Sequence, residues 1–251
     1  MGWANPTYAS LLEADDMGNN TLLGTIPKVA IDIEGFVAGI YEAEMGLINT
    51  MRGETHTFSE MTEYPKRGGT VFGLSYDEHT TYRKMAWREH WKSIPRYVEE
   101  PILLRAAQEW DSCWVTAAGD SGIMESIRKW LGYNYNNVDL PIIQVPTGSD
   151  KSLLDFDVFL DDAPRLAYRI AEIYEGSRLP ELRSGHMRFE RQKSMIIPRW
   201  PYTPNGIEGI APSHILRVAP GPSEAFTMAR EMTHMVGERR NETVMPTKLK
   251  G

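Results

Sequence analysis

Four short stretches of this chain set acidic, hydroxyl and basic groups at or near the ends of apolar runs. Asp32 and Glu34 follow Val29-Ala30-Ile31, and Thr116 follows Ser112-Cys113-Trp114-Val115. Asp161 and Asp162 close the run Phe156-Asp157-Val158-Phe159-Leu160, and Lys151 stands just before that segment. Clustered carboxylates suit a hard divalent cation, which takes oxygen ligands. A lysine and a hydroxyl beside them could hold a phosphoryl group, the lysine as a compact, mobile charge. Each group also has an ordinary structural use. Asp32 could cap a helix, Thr116 could simply end a strand, and Asp161-Asp162 could be an N-cap pair. Thr147-Gly148-Ser149-Asp150-Lys151 could be a solvated turn. The order and spacing of the four stretches argue for chemistry more than any single residue does.

Such groups converge only if the runs are strands of one sheet. Continuous apolar runs this short suit strands buried on both faces, as in a parallel sheet. Pro141 to Val145 and Ser194 to Ile197 read the same way. Helical periodicity separates them. Gly122 to Leu131 repeats near 3.6 residues with Gly132 as a stop, and Leu166 to Tyr174 follows Pro164 in a first-turn position. Pro222 to Val236 reads as a terminal helix with Ser223 as N-cap. Alternation of this kind predicts a Rossmann-like α/β core, a doubly wound parallel sheet with helices on both sides. Ligands of such sheets bind beyond the carboxyl ends of the strands, where the polar residues above are found.

The interval 36–110 is too long for one crossover helix. With about three helical stretches and a Gly- and Tyr-rich segment, it is expected to be an inserted, mostly helical cap. The resulting division is an N-terminal arm over 1–27, a core over 28–35 and 111–236, the cap over 36–110, and a polar tail over 237–251.

Composition narrows the partners. A net charge of −7 is the wrong sign for a general nucleic-acid or anionic-membrane binder, yet leaves room for a local basic pocket. No run approaches the roughly 20 apolar residues needed to span a bilayer, and no secretory signal is read at the N-terminus. A cytoplasmic location is expected. One cysteine, Cys113, excludes an intrachain disulfide and a multi-cysteine metal site. The six histidines show no ligand spacing, so no zinc site is expected.

Taken in order, the four stretches resemble the motifs of the haloacid dehalogenase superfamily of phosphatases. Val29-Ala30-Ile31-Asp32-Ile33-Glu34-Gly35 is similar to its first motif, an apolar strand ending in Asp-x-Asp-Gly. Trp114-Val115-Thr116-Ala117 resembles the second, Lys151 stands at the place of the third, and Phe159-Leu160-Asp161-Asp162 is similar to the acidic fourth. The likeness covers about residues 28–200, with the insert where the family's first type of cap occurs. Ile196 to Tyr202 resembles the aromatic-proline stretch of the 5′-nucleotidase-like branch.

The resemblance implies a magnesium-dependent phosphatase acting on a small phosphorylated substrate, with a nucleoside monophosphate as the preferred guess. Asp32 would be the nucleophile. Mg2+ would be held by Asp32, the backbone carbonyl of Glu34, and Asp161 or Asp162. Thr116, Ala117 and Lys151 would bind the phosphoryl group. Glu34 departs from the pattern, standing where family phosphatases carry a second Asp as acid and base. Its extra methylene is a displacement of a size that can cost on the order of 100-fold in rate. The alternative is therefore a weak or inactive relative serving as a binding or structural subunit, in which Lys151 would turn away or side chains would fill the crevice. Tyr64, Phe72, Tyr76 and Tyr82 could stack on a base or, as readily, form a small cap core. His90 is expected to be packed or exposed rather than catalytic, and Cys113 to be a buried strand residue.

Overall fold

The computed structural model describes residues 26–65, 68–178 and 192–244. The arm expected over 1–27 lies outside them except for its last two residues, as does everything past 244.

In chain order the strands are β1 (Lys28–Asp32), β2 (Thr70–Val71), β3 (Leu74–Ser75), β4 (Asp111–Thr116), β5 (Ile142–Gln144), β6 (Val158–Leu160), β7 (Ser194–Pro198) and β8 (Leu216–Ala219). The helices are α1 (Ile40–Arg52), α2 (Tyr76–His90), α3 (Glu100–Glu109), α4 (Ser121–Asn134), α5 (Pro164–Arg178) and α6 (Pro222–Val244). Six strands form one sheet in the order β5-β4-β1-β6-β7-β8, every pairing parallel. This is the expected Rossmann-like α/β architecture.

The apolar runs become strands because both faces of the sheet are covered. Val29 and Ile31 join one cluster with Leu103 of α3, Ile127 of α4 and Phe226 of α6. Ala30, between them, points to the other face and packs with Ile170 of α5. This alternation is the period of two expected of a strand, with apolar residues in both phases.

Some boundaries differ from expectation. Helix α4 runs through Gly132 to Asn134, because its buried face, Ile123, Ile127, Trp130 and Leu131, keeps it packed past the glycine. Its start is fixed by Asp120, whose side chain accepts from the Ile123 N–H at 2.9 Å. Helix α6 begins at Pro222, so Ser223 lies within the first turn rather than at the cap, and the helix continues to Val244, beyond residue 236. Strand β8 was not anticipated. It is a four-residue edge strand containing Arg217, so it lacks the apolar continuity that marks the others.

Within 36–110, α1 and α2 pack on each other, and β2 and β3 form a hairpin ahead of α2. Ser75 caps α2, accepting from the Glu78 N–H, while the Glu78 carboxylate accepts from the Ser75 N–H at 2.8 Å. Val37, Met45, Ala86 and Trp87 belong to the same apolar cluster as Val29 and Ile31, so α1, α2 and the sheet share a continuous core. Helix α3 packs against β4 and α6.

Candidate active site

The sheet register brings the acids together. Strands β1 and β6 are neighbours, with Ile31 opposite Leu160, so the next residues on each, Asp32 and Asp161, emerge side by side at the carboxyl edge. Parallel neighbours are about 4.8 Å apart, which is contact range for two short acidic side chains. On the other flank Asp32 pairs with Val115 of β4, and Thr116 follows one residue later.

Lys151 reaches the same place from a 3₁₀ turn, Gly148–Leu153. The turn signals in its sequence are real. Asp150 accepts from the Thr147 N–H and hydroxyl, at 3.0 and 2.8 Å. The turn is nonetheless not a solvated one at Lys151, which is 4% exposed. Its Nζ lies 2.7 Å from Asp32 Oδ1 and 2.6 Å from Asp161 Oδ2. The capping role open to Asp161 holds in part, since its Oδ1 accepts from the Ala163 N–H at 2.8 Å just before α5.

Asp162 completes the group. Its Oδ2 accepts from the Tyr202 hydroxyl at 2.6 Å, and oxygens of Asp32, Asp161 and Asp162 lie within 4.8 Å of one another. Gly35 makes this approach possible. Its φ is +83°, and a Cβ there would sit 2.3 Å from Asp162 Oδ2 and 2.7 Å from the Tyr41 ring. Only glycine fits both the backbone and the space.

The Glu34 carboxylate stays outside the aspartate trio. Oε1 accepts from the Trp87 indole N–H at 2.8 Å, and Oε2 accepts from the Thr116 hydroxyl at 3.3 Å. Thr116 Oγ1 in turn accepts from the Ala118 N–H at 3.1 Å. Ala117, between them, is half-buried in the loop after β4. All seven residues singled out in the sequence thus lie around the carboxyl ends of β1, β4 and β6.

The charges do not balance. Three buried carboxylates face a single ammonium, Lys151. Burial and the Asp161 charge push the Asp32 carboxyl well above its usual range, against the pull of Lys151. Asp162 is pushed up to about 7 by burial and by Asp161. For Lys151, burial favours the neutral amine, but Asp161 and Asp32 outweigh it and hold it charged. The donor set is all oxygen, buried and short of about two positive charges, which is what a divalent hard cation supplies. These residues fit Mg2+.

Several contributing groups were not read from the sequence. Trp87 orients Glu34, Tyr202 holds Asp162, and the Trp200 indole N–H donates to the Gly35 carbonyl at 3.0 Å. Their signal was positional: Trp87 follows Arg83 and His79 at steps of four on α2, one face of a helix. Of the insert aromatics, Tyr64 packs edge-on against Tyr41 and Tyr202, and Phe72 stacks on His56 at 4.3 Å, so both serve the core. His90 is exposed. Cys113 is only half-buried in β4, with its thiol pushed up to about 11 by burial. A cleft of about 610 Å³ opens between Gly68–Thr70 and Ser75–Asp77 and shares no lining residue with the carboxylates.

Among the described residues, no helix is long and apolar enough to cross a membrane. No family model and no curated protein matches the sequence. Among solved structures it is similar to a hydrolase from Pseudomonas syringae, at 13% identity and a TM-score of 0.48, covering 82% of this chain and 98% of that one. It is also similar to a haloacid dehalogenase-like hydrolase from Streptococcus pneumoniae, at 9% identity and a TM-score of 0.49, covering 82% and 99%. A third, a haloacid dehalogenase-like hydrolase from Xanthomonas campestris, stands at 12% and 0.46, covering 85% and 98%. Resemblance at this level does not assign chemistry, so what the crevice can do follows from its own residues.

Proposed function

We propose that this chain is a magnesium-dependent phosphomonoester hydrolase working through an aspartyl phosphate on Asp32. The observation that carries the proposal is the convergence of Lys151 on Asp32 and Asp161, with Asp162, Thr116 and Glu34 around the same strand ends. A structural subunit has no use for three buried carboxylates that repel one another.

Mg2+ would be held by Asp32, the carbonyl of residue 34 and Asp162, Asp161 being engaged by Lys151 and the Ala163 N–H, and it would neutralise charge on the transferring group. Asp32 attacks phosphorus, and the bond to the alcohol oxygen breaks. Lys151 offsets the charge of nucleophile and phosphoryl oxygens, and the Thr116 hydroxyl turns its proton from Glu34 to a phosphoryl oxygen. Ala117 brings its backbone N–H to the same group. Glu34, as general acid, gives a proton to the departing alkoxide, then as general base takes one from the water that attacks the aspartyl phosphate and releases inorganic phosphate. Trp87 holds Glu34 in place for both steps.

Asp32 is 4% exposed, so a substrate enters only when something covering it moves. The insert supplies Trp87 directly over Glu34, which makes the α1–α2 pair the cap that opens and closes. Within the phosphomonoesters, the resemblance of Ile196 to Tyr202 points first to phosphorylated nucleosides.

The experiment is release of inorganic phosphate from a panel of phosphomonoesters, nucleotides included, with Mg2+ or chelator, using wild type and Asp32→Asn. Magnesium-dependent release abolished by Asp32→Asn is the expected result. A folded wild type that releases nothing from any ester would remove the proposal.

A further inference from the structure

The insert contains a second buried charged cluster, and its charges also do not balance. Glu44 on α1 and His79 on α2 are each 2% exposed. Glu44 Oε1 meets His79 Nδ1 in a short contact, and Oε2 accepts from Arg83 Nε at 3.0 Å. His79 Nε2 faces the Val71 carbonyl at 2.9 Å. With acceptors on both ring nitrogens and Glu44 ionised against Arg83, the imidazole carries both protons. Glu44 outweighs the burial that would discharge the ring, so its affinity for the second proton is raised. Two cations then share one carboxylate.

The surplus charge ends at one atom. Arg83 Nη2 is buried and has no hydrogen-bond partner among the described residues. A buried guanidinium N–H without a protein partner is costly, and each such group calls for an explanation, a bound ligand among them. The guanidinium is pinned, with Cζ 4.8 Å from the centroid of the Tyr41 ring and Nε on Glu44. It is therefore held ready rather than free to swing to solvent.

Its position identifies the kind of partner. Arg83 and Trp87 are four residues apart on α2, one above the other on the same face. Trp87 donates to Glu34, and the Glu34 charge acts on Arg83. Glu34 does not satisfy Nη2: its oxygens accept from Trp87 and Thr116, and Nη2 makes no hydrogen bond among the described residues. In the reaction proposed above, Glu34 protonates the leaving oxygen, which puts Arg83 on the leaving-group side of the scissile bond.

We infer that Arg83 is a specificity-determining residue that grips an oxyanion on the leaving group. The substrate class is then a phosphomonoester whose alcohol part carries a carboxylate or a second phosphate. A nucleoside bisphosphate would belong to this class, whereas a simple nucleoside monophosphate would not. The inference rests on the phosphatase function proposed for the same site.

Three esters of one carbon skeleton test it: glycerol 3-phosphate with no second anion, 3-phosphoglycerate with a carboxylate, and glycerol 1,3-bisphosphate with a second phosphate. Wild type should favour one or both of the doubly anionic esters in kcat/KM by roughly 10- to 100-fold, the range of a charge-assisted hydrogen bond. Arg83→Gln should erase that preference through KM while leaving glycerol 3-phosphate within about threefold, a split that a merely structural role would not give. Arg83→Lys keeps the charge, shields the fold if Gln does not, and should lose most of the preference with the fork. Which ester is favoured separates carboxylate from phosphate. Equal kcat/KM for all three in wild type, or equal losses on all three in a variant that melts normally, would overturn the inference and leave the phosphatase proposal standing. If wild type hydrolyses none, calorimetric binding of the same esters to Asp32→Asn decides. An anion preference that Arg83→Lys removes supports the oxyanion site, and none overturns it.

Discussion

The carboxylate trio should make the metal-free protein less stable than a variant lacking one of its charges. Asp162→Asn is nearly isosteric and can still accept from Tyr202 through its amide oxygen, so the substitution removes charge without opening space. In the folded protein the Asp162 carboxyl is raised from its ordinary 3.8 to about 7, first by burial and then by Asp161. A raised carboxyl binds its proton more tightly when folded than when unfolded. Between about pH 4 and 7 the native state therefore holds more protons, and stability falls as pH rises through that window. At 1.36 kcal/mol per tenfold in proton affinity, the full penalty above pH 7 is on the order of 4 kcal/mol. For a chain of this size that corresponds to roughly 10 °C in Tm.

The assay is thermal melting in chelator at pH 5 and pH 8, followed by a Mg2+ titration. At pH 5 the lead of Asp162→Asn should be only about a third of its value at pH 8, because the unfolded carboxyl is already ionised there while the native one still holds its proton. At pH 8 the variant should melt several degrees higher. Mg2+ should then raise wild type by an amount that grows with concentration and affect the variant much less. An Asn variant that melts at or below wild type at pH 8 without metal would refute the reasoning, since the trio would not then be a destabilising cluster.

The opposite effect is expected at the cation. Lys151→Met removes the ammonium between Asp32 and Asp161 and should destabilise by about 3–5 kcal/mol in denaturant melts at pH 8. Glu34→Asp gives the residue that the resembled motif carries at this place, but the shorter chain gives up the 2.8 Å bond from Trp87. Leaving that indole N–H unpaired should cost about 1–3 kcal/mol in melts, and phosphate release should fall rather than rise.

The sheet was legible because its signal is local. A strand buried on both faces must be apolar in both phases, and Val29 to Ile31, Trp114-Val115 and Val158 to Leu160 are. What escaped was set by other forces. Strand β8 is held by pairing with β7 along an edge, so Arg217 is tolerated within it. The β2–β3 hairpin turns on Phe72 and Gly73, at φ of +53° and +69°. Phenylalanine is not a residue that announces a positive φ, whereas Asn or Gly would have. Gly132 misled for a related reason: propensity costs about 1 kcal/mol, less than the burial that Trp130 and Leu131 gain by continuing the helix.

The candidate site divides along the same line. Asp32, Thr116 and Asp161 could be placed from sequence because parallel register alone brings the ends of adjacent strands together. Lys151 depended on a turn folding inward, which its residues permit but do not require. The tie that holds Glu34 could not be read, because it comes from a tryptophan 53 residues away on α2. Seen from the strand, glutamate in that position is an aspartate moved outward by one methylene. Seen from α2, the longer side chain is what spans the distance to Trp87, and it ties the acid of the proposed reaction to the element that must open and close. An aspartate there would belong to the sheet alone. The glutamate links the sheet to α2, so in the proposed reaction any movement of that helix would carry the acid with it.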